Sequence, residues 1–564
     1  MISRNDALQA IQEHAFDVVV VGGGITGAGV ALDAASRGYS VALLERDDFG
    51  KGTSSRSSKM VHGGLRYLQN FDLGLVREAL LERQLLVQLA PHLVYPTPFL
   101  VPALGEERRD RRIGIGLNMY DVMATSRIGR GRSQRSEHSG EADYWSPDRH
   151  RTITGEEAAE LIPALGPMEP SSAYLFYDCQ TDDVRLVLTV LGEAERFGAV
   201  VLNGAEVTEV LDDGGRASGV AFTEAESGVR IAVHSDNVVN ATGVWADRIR
   251  PDELLTEEEI PRIRPSRGTH VTVSTEQLDI GTAACIVPAG GERTIFALPW
   301  YGRVLVGTTD NDFDGDIDRV PPSGDDVEYL LDALNSYFGT DVGPEDLTGA
   351  YAGVRPLIST GDPKKSVDIS RKAELYETSS GMLTITGGKL TTFRRMATQV
   401  VDRITDRDGR EAECRTDDIP LGMAARPDDL ETSIELPDGA RDQLAFRYGH
   451  AAREVLDLCE ETPALAEPIV PGHPDLLAEV VLAARREQAR SVADVLLRRT
   501  RLGLVAAPEL RDPEATLAIA RLLGEELGWS GSRVKAEQVE WGRVVQAEGT
   551  DPTRVSAQQS AAPD

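Results

Sequence analysis

One segment near the N-terminus restricts the fold more than any other part of this chain. A nearly continuous β-branched run, FDVVVV at 16–21, leads directly into the glycine-rich turn GGGITG at 22–27. A helical pattern from Ala28 to Arg37 and a second apolar run at 40–44 follow, and Glu45 stands 23 positions beyond Gly22. This order of strand, turn, helix and strand predicts a Rossmann-like domain that binds a dinucleotide.

Each of three glycines in this turn has its own predicted role. Gly22 allows a tight turn, Gly24 the close approach of a pyrophosphate, and Gly27 close packing of the helix against the strand. The helix N-terminus then presents N–H groups and a partial positive charge to the phosphates. Glu45 is expected to accept hydrogen bonds from the adenosine ribose. NAD and FAD share this fingerprint, so the turn alone does not choose between them.

Two further segments favour a flavin. The stretch at 53–59 follows the second strand and offers short donors that suit a ribityl chain and a pyrophosphate. The stretch at 240–243 ends another strand with small residues, which leave room for a bulky cofactor. Because ligands in open α/β sheets lie beyond the carboxyl ends of the strands, we interpret both segments as parts of an FAD site. The predicted contacts here are Thr53, Ser54, Ser55, Ser58, Lys59, Ala241, Thr242 and Gly243.

The rest of the chain predicts a protein of mixed α/β and α+β class. A DDGG turn at 212–215 between two apolar stretches predicts a hairpin, and 383–386 predicts a strand before a helix that ends at about Ile404. We expect a discontinuous core at 15–405, with a Rossmann-like FAD-binding domain and a mixed-sheet substrate domain. The chain should continue with a polar linker at 406–438, a helical C-terminal domain at 439–546 and a disordered tail at 547–564. Within the helical domain, we expect one helix to start at Ser491 and stop near Gly503, and another to start at Asp512.

The charge balance and the cysteines exclude several functions. Asp and Glu number 91 against 59 Lys and Arg, a net charge of −32, which argues against a nucleic-acid partner and against a polybasic lipid-binding patch. The four cysteines form no CxxC pair, so we expect a reducing, cytoplasmic environment and no metal. No apolar run reaches about 18 residues. Peripheral contact with the inner face of the cell membrane stays open, because a monotopic patch need not appear as a run.

Four more motifs connect the chain with a known family. They are HGGLRY at 62–67, the stretch from Asp178 through DDVR at 182–185, GVRP at 353–356 and GGKLTT at 387–392. From about residue 15 to 545, the chain resembles the FAD-dependent glycerol-3-phosphate dehydrogenases. The glycine-rich start and GVRP are shared with the wider D-amino-acid-oxidase-like superfamily, whereas HGGLRY and GGKLTT are much more specific. The resemblance implies oxidation of glycerol 3-phosphate by hydride transfer to FAD, with a membrane quinone as the electron acceptor.

Binding a phosphate dianion in a chain of this net charge requires a locally positive pocket. Arg66, Arg355 and Lys389 form the natural cluster, because arginine holds phosphate with a bidentate fork. The resemblance implies that Arg355 and Lys389 lie beside substrate and flavin, and that Arg66 and Tyr67 hold the phosphate end. The alternative for each arginine is a solvated surface charge, and only Arg66 and Arg355 stand in glycine-framed segments without other charges.

Two histidines are candidates for the general base. The resemblance implies that His270 lies near the substrate, and an ordinary imidazole pKa of about 6.5 suits the role. His62 could instead contact flavin or substrate, and the sequence does not rank the two. The helix that Gly388, Leu390 and Thr391 open is expected to aim its N-terminus at the N1–C2=O edge of the flavin, where it stabilises negative charge. A homodimer is compatible with the sequence.

Three alternative functions stay open. An oxidase that reduces O₂ to peroxide has nearly the same motifs, and an amine or 2-hydroxy-acid oxidase shares the superfamily markers. A non-catalytic flavin-binding sensor is disfavoured by the intact Arg66, Arg355 and Lys389. Relatives that pass electrons through a cysteine-rich C-terminal module are also disfavoured, because residues 405–564 contain only Cys414 and Cys459.

Overall fold

Two β-sheets with flanking helices form the larger part of the molecule, and a group of helices follows them. The computed structural model describes residues 3–64, 73–104, 111–124, 149–249, 262–291, 293–359 and 373–552. Within these ranges, none of the helices combines the length and the apolar character needed to span a bilayer.

The first sheet contains the predicted nucleotide-binding strands. Its strand Phe16–Val21 pairs in parallel with Val41–Leu44 on one side and Arg230–Asn240 on the other. The strands follow one another in the order Ala373–Glu377, Leu383–Gly387, Arg230–Asn240, Phe16–Val21, Val41–Leu44 and Val200–Leu202. The predicted hairpin is present as Ala205–Asp213 and Arg216–Glu224, and it joins Arg230–Asn240 in antiparallel pairing. The first strand is buried on both faces, as its β-branched run requires.

Helices cover this sheet closely. Helix Ile25–Ser36 packs against Asp183–Arg196 and Phe393–Asp408. Gly29 permits the approach of the last of these, because a Cβ at this position would lie 2.8 Å from Cδ2 of Phe393. Helix Arg4–Glu13 packs on the strand Val200–Leu202.

The second sheet is mostly antiparallel. Along its main path, the strands are Asn311–Asp312, Arg262–Ser274, Arg303–Gly307, Thr294–Trp300, Ala284–Pro288, Tyr95–Leu104, Pro170–Gln180 and Met60–Val61. Leu347–Ser359 pairs along most of Arg262–Ser274, and Arg151–Thr154 pairs with Pro170–Gln180. The remaining helices before the C-terminal part are Leu73–Leu89, Arg111–Ala124, Gly155–Leu161 and Gly324–Phe338. The predicted combination of a Rossmann-like sheet with a mixed second sheet is confirmed.

The C-terminal part is helical, as predicted. Its helices and helical turns are Ala440–Tyr448, Ala452–Glu461, Leu477–Arg486, Val492–Asp494, Val495–Arg499, Leu502–Val505, Pro513–Leu527 and Gly531–Glu548. The expected helix starts at Ser491 and Asp512 are present, since both side chains cap the following turn. However, the helix expected from Ser491 to about Gly503 is interrupted by a π-helical turn and by Arg501, whose φ of 71° is left-handed. The reason is tertiary, because the Arg501 guanidinium binds the buried Asp182.

Two expected boundaries differ from the structure. Helix Phe393–Asp408 extends past residue 405, and the segment after it packs against the core instead of forming a free linker. Leu421 is 2% exposed and its N–H donates to the Leu89 carbonyl. The expected tail also begins too early, because Asp551 is buried in an ion pair with Arg511. Residues 553–564 lie outside the described part of the chain.

Candidate active site

A cavity of about 780 Å³ is lined by residues of both sheets. One end begins at the carboxyl ends of the parallel strands, where Gly22 and Glu45 stand. The other end reaches His270 and Arg355 on two paired strands of the second sheet. The described lining contains six cations and five acids, so the wall is close to neutral in a protein of charge −32. These residues are Arg46, Lys51, Arg56, Arg248, Arg355, Lys389, Glu45, Asp47, Asp178, Glu206 and Asp310.

The glycine-rich turn has the geometry of a phosphate cradle. Gly22 has a φ of 109°, and a Cβ there would lie 2.7 Å from the Ala241 carbonyl oxygen. Gly27 does not line the cavity. A Cβ there would lie 1.9 Å from the Gly22 carbonyl oxygen, so the close packing of the helix against the turn requires glycine at this position. Gly24 is the N-cap residue of helix Ile25–Ser36, and it makes no side-chain capping hydrogen bond. The helix N-terminus therefore faces the cavity with backbone N–H groups that suit a pyrophosphate.

Glu45 lies in the cavity wall and organises the backbone around it. Its carboxylate accepts hydrogen bonds from the N–H groups of Gly23 at 2.6 Å and Asp47 at 2.9 Å. Burial raises the pKa of this carboxyl group, although the two backbone donors oppose the effect. A carboxylate has about four acceptor positions, so these bonds leave capacity for the predicted contact with a ribose hydroxyl.

The hydroxyl-rich segment divides into residues that line the cavity and residues that do not. Thr53, Ser54 and Ser58 line it, and Ser54 Oγ accepts the Ile25 N–H at 3.0 Å. Ser55 and Lys59 are absent from the wall, so their prediction as cofactor contacts requires correction. Ser55 is 5% exposed, and the fully buried Lys59 Nζ donates to Asp183 at 2.8 Å. Buried charges need partners, and this partner turns Lys59 away from the cofactor.

The small residues after strand Arg230–Asn240 also line the cavity. Ala241, Thr242 and Gly243 form its wall beside the glycine-rich turn, and Gly243 has a φ of 60°. The Thr242 hydroxyl donates to Asn240 Oδ1 at 2.7 Å, which fixes the loop. This is the position at which the sequence predicted the approach of a bulky cofactor.

A cluster beside Glu45 was not predicted from the sequence. Asp318 accepts hydrogen bonds from Trp245 Nε1 at 2.8 Å, from Arg46 at 2.9 Å and from Arg248 at 2.7 Å. Its three partners line the cavity, and the Arg46 guanidinium lies 5.1 Å from the Trp245 ring centroid. A tryptophan two residues after the small loop at 240–243 was the available signal, but its partner Asp318 is 73 residues away.

Arg355 is held in the opposite end of the cavity. Its Nη2 donates to the Thr309 carbonyl at 3.1 Å and to Thr308 Oγ1 at 3.2 Å, and Nη1 lies 3.5 Å from Asp310. Gly268 provides the space, because a Cβ there would lie 2.5 Å from Arg355 Nη2. The turn at 308–310 thus orients the guanidinium.

His270 lies on the strand that pairs with the strand of Arg355, opposite Tyr351, and it is 2% exposed. Its Nε2 is 2.9 Å from Ser58 Oγ, and its ring stacks on Tyr351 at 4.8 Å with an interplanar angle of 13°. Burial, with smaller contributions from the charges of Lys59 and Arg355, lowers the pKa of His270 well below its ordinary value. The pKa of His270 is thus not the ordinary one expected from the sequence, but the buried imidazole is uncharged at neutral pH and can accept a proton.

His62 and the 387–392 segment are brought together. The His62 N–H donates to Thr391 Oγ1 at 3.1 Å, and His62, Gly388, Lys389, Leu390 and Thr391 all line the cavity. The α-helix starts later than predicted, at Phe393, because Leu390–Thr392 forms a 3₁₀ turn before helix Phe393–Asp408.

Two predicted substrate contacts, Arg66 and Tyr67, lie outside the described residues. An apolar part of the cavity wall was not predicted from the sequence. It consists of Phe99, Val101, Ile113, Phe176, Ile286 and Phe296.

The cavity fits a flavin dinucleotide. A glycine cradle and a helix N-terminus whose N-cap is a glycine suit the pyrophosphate, Glu45 suits a ribose, and the cavity continues to a second sheet where His270 and Arg355 stand. A proton acceptor and a cation at the far end add the chemistry of an alcohol or amine oxidation. The fold and this site therefore define a flavin-dependent oxidoreductase.

Comparisons with known proteins agree with this class. A family model of FAD-dependent oxidoreductases matches residues 17–394, and a model of the C-terminal domain of alpha-glycerophosphate oxidase matches residues 414–534. A glycerol-3-phosphate dehydrogenase of Mycobacterium tuberculosis is 38% identical over 522 residues, which cover 90% of this chain and 94% of the relative. One from Synechocystis is 32% identical over 542 residues, covering 92% and 94%.

A solved structure supports the same assignment. The X-ray structure of the glycerol-3-phosphate dehydrogenase from Bacillus halodurans complexed with FAD has a TM-score of 0.74 and 26% identity, and the match covers 96% of this chain and 97% of that one. The chain belongs to the FAD-dependent glycerol-3-phosphate dehydrogenase family within the D-amino-acid-oxidase-like superfamily, and its cofactor is FAD.

Proposed function

We propose that this protein oxidises sn-glycerol 3-phosphate to dihydroxyacetone phosphate by hydride transfer to FAD, and that a quinone then takes the electrons. The observation that carries the proposal is the pair of His270 and Arg355 at one end of the cavity. One supplies a neutral imidazole and the other a guanidinium. An alcohol that carries a phosphate needs both a proton acceptor and a cation.

The residues of the chain divide the work as follows. Bound FAD supplies the acceptor for the carbinol hydrogen and its electron pair. His270 removes the hydroxyl proton as the carbonyl forms, because the buried imidazole is uncharged. Arg355 and Lys389 hold the anionic substrate in the cavity wall, and Arg66 and Tyr67 are the proposed contacts for the phosphate end.

The first experiment asks whether the substrate reduces the cofactor. Anaerobic addition of glycerol 3-phosphate to the purified holoenzyme is expected to bleach the oxidised flavin absorbance. Glycerol, which lacks the phosphate, serves as the matched control and should bleach it at least about 100-fold more slowly at equal concentration. Absence of bleaching by glycerol 3-phosphate would contradict the proposal and favour the sensor. Bleaching by a 2-hydroxy acid or an amine, with none by glycerol 3-phosphate, would favour another oxidase of the superfamily.

The second experiment separates quinone from O₂ as the acceptor. One sample is divided, and peroxide formation in air is compared with the anaerobic reduction of a soluble quinone analogue. The proposal predicts quinone turnover and little peroxide, whereas one peroxide per substrate oxidised would identify a glycerol-3-phosphate oxidase.

A quinone acceptor would bring the protein to a membrane surface, and we propose a cytoplasmic protein in peripheral contact with the inner face of the membrane. The net charge of −32 opposes binding to anionic lipid. Co-sedimentation with neutral vesicles that contain quinone, stronger than with anionic vesicles, is the expected result. Equal absence from both vesicle pellets would contradict the membrane contact.

A further inference from the structure

A cation lies behind the candidate base, outside the cavity wall. Lys59 Nζ is 4.6 Å from the centroid of the Tyr351 ring. The His270 ring stacks nearly parallel on the same Tyr351 ring, with the two ring centroids 4.8 Å apart. The Tyr351 hydroxyl donates to the Ser57 carbonyl at 2.8 Å, and Ser58 Oγ contacts His270 Nε2. The loop at 57–59 therefore contributes Lys59 and contacts both Tyr351 and His270.

Ion pairing alone does not explain a lysine at this position. Asp183, its carboxylate partner, also binds the Arg501 guanidinium and the Ser57 hydroxyl. Asp183 would thus keep a cationic partner without Lys59. Lys59 also has a left-handed φ of 59°, which is unfavourable for a residue with a Cβ.

The charges around His270 are predominantly positive. Lys59 stands behind Tyr351, and Arg355 is on the same strand as Tyr351. Asp183 lies on the far side of Lys59, and Asp310 faces the Arg355 guanidinium. Other titratable groups of the described wall are His62, Lys389 and Arg56, whose Nη1 donates to the Ala352 carbonyl at 3.1 Å beside Tyr351.

Both cations act on the imidazole in the same direction as burial. Burial is the largest cause that lowers the pKa of His270, and the charges of Lys59 and Arg355 add to it. Burial also lowers the pKa of Lys59 itself, to about 8, against the opposing effect of Asp183. Lys59 is therefore mostly charged at neutral pH, where its effect on His270 is present.

We propose that Lys59 is a positioning residue for His270, and that its charge and its contact with the Tyr351 ring keep the imidazole uncharged and oriented to accept the substrate proton. This inference rests on the proposed function for its catalytic meaning. It assigns to Lys59 a role different from the cofactor contact that the sequence predicted.

The direct test measures protonation of His270 without substrate. The holoenzyme is labelled with ¹³C at histidine Cε1, and the His270 signal is assigned by its loss in His270→Asn. In Lys59→Met, where Asp183 still has Arg501, the midpoint of the His270 titration should rise by about one pH unit. Lys59→Arg keeps the charge and should restore the wild-type midpoint. Equal midpoints in wild type and Lys59→Met would overturn the proposal.

A matched control removes another buried cation that faces a tyrosine ring and an aspartate. Arg83 pairs with Asp178 at 2.6 Å and lies 5.6 Å from the Tyr120 ring, but Tyr120 packs on Phe176 and not on a histidine. Arg83→Met should leave the His270 titration at the wild-type pH. An equal shift in Arg83→Met would mean that the loss of any buried cation has this effect, and would refute a specific role of Lys59.

The kinetic test links this role to the reaction. The pH at which the rate of flavin bleaching by glycerol 3-phosphate falls on the acid side should shift upward by about one unit in Lys59→Met and return in Lys59→Arg. A structural defect would lower the rate at all pH values without moving this limb, and would overturn the proposal. If wild-type enzyme is not bleached at all, the proposed function fails, while the His270 titration still decides whether Lys59 controls the imidazole.

Discussion

The Asp48 carboxylate and the Arg499 guanidinium meet at two points, with Oδ1 2.8 Å from Nη2 and Oδ2 3.0 Å from Nη1. Asp48 follows Glu45 in the loop beside the cavity, and Arg499 belongs to the C-terminal helices. The two side chains are 3% and 0% exposed, and Arg498 donates to the same carboxylate. This contact joins the nucleotide-binding loop to the C-terminal domain and explains how a domain outside the cavity can support it.

Asp48→Ala should therefore be strongly destabilising, because it leaves two buried arginines without this partner. We expect the free energy of unfolding to fall by about 3–5 kcal/mol, measured by urea denaturation with saturating FAD. Asp457→Ala provides the control, since Asp457 pairs with Arg453 at the surface with 52% and 43% exposure. It should change the stability by less than about 1 kcal/mol. A similar small effect for Asp48→Ala would show that the junction contributes little.

Gly22→Ala should weaken FAD binding at least about tenfold, which corresponds to about 1.4 kcal/mol. The added methyl would meet the Ala241 carbonyl at 2.7 Å, in a backbone conformation with a φ of 109°. Flavin absorbance per protein after gel filtration measures the loss. Gly192→Ala is the matched control, because Gly192 lies in a helix with no heavy atom within 4 Å of the added Cβ. Full retention of flavin by Gly22→Ala would contradict the cradle.

Arg355→Ala should retain FAD and lose at least about 100-fold in kcat/KM, about 2.7 kcal/mol of transition-state stabilisation. The kcat/KM of Arg355→Lys should lie between those of the wild type and Arg355→Ala, since lysine keeps the charge but not the planar fork. Steady-state rates with a quinone analogue and the flavin content test both. Arg264→Ala, which removes a partly exposed pair with Asp312 outside the cavity, should be fully active. A fully active Arg355→Ala would refute the assignment of the substrate end.

The features predicted correctly from the sequence are mostly local. The strand, glycine turn, helix and second strand lie within 30 residues, so the burial pattern and the turn chemistry are readable from neighbouring positions. The hairpin around Gly214 and the helix start at Asp512 were predicted for the same reason. Arg355 and His270 were indicated by a family resemblance, and their placement on two paired strands becomes visible only in the fold.

The features that the sequence did not predict depend on distant partners. Lys59 has the composition of a phosphate contact, but Asp183 is 124 residues away and Arg501 pairs with Asp183 across 318 residues. The break at Arg501 and the junction at Asp48 also involve ion pairs between residues that are distant in the sequence. No periodicity or turn rule contains this information, because the cost of burying a charge is settled only when the partner is in place.

Asp318→Ala should release FAD faster without changing the chemistry at the other end of the cavity. The substitution removes the acceptor shared by Trp245, Arg46 and Arg248, three residues that line the cavity beside Glu45. We expect the dissociation rate of FAD, followed by the rise of flavin fluorescence after dilution of the holoenzyme into FAD-free buffer, to increase about tenfold, or about 1.4 kcal/mol. The initial rate of flavin bleaching by glycerol 3-phosphate in FAD-saturated enzyme should stay within a factor of about two of the wild type, because Thr308, Thr309 and Asp310 orient the Arg355 guanidinium and Asp318 is not among these partners. Asp314→Ala, an exposed acid of the same loop, controls for the loss of one negative charge. If Asp314→Ala accelerates the release of FAD as much as Asp318→Ala does, the cofactor is retained by net charge and not by the hydrogen bonds of Asp318 to Trp245, Arg46 and Arg248.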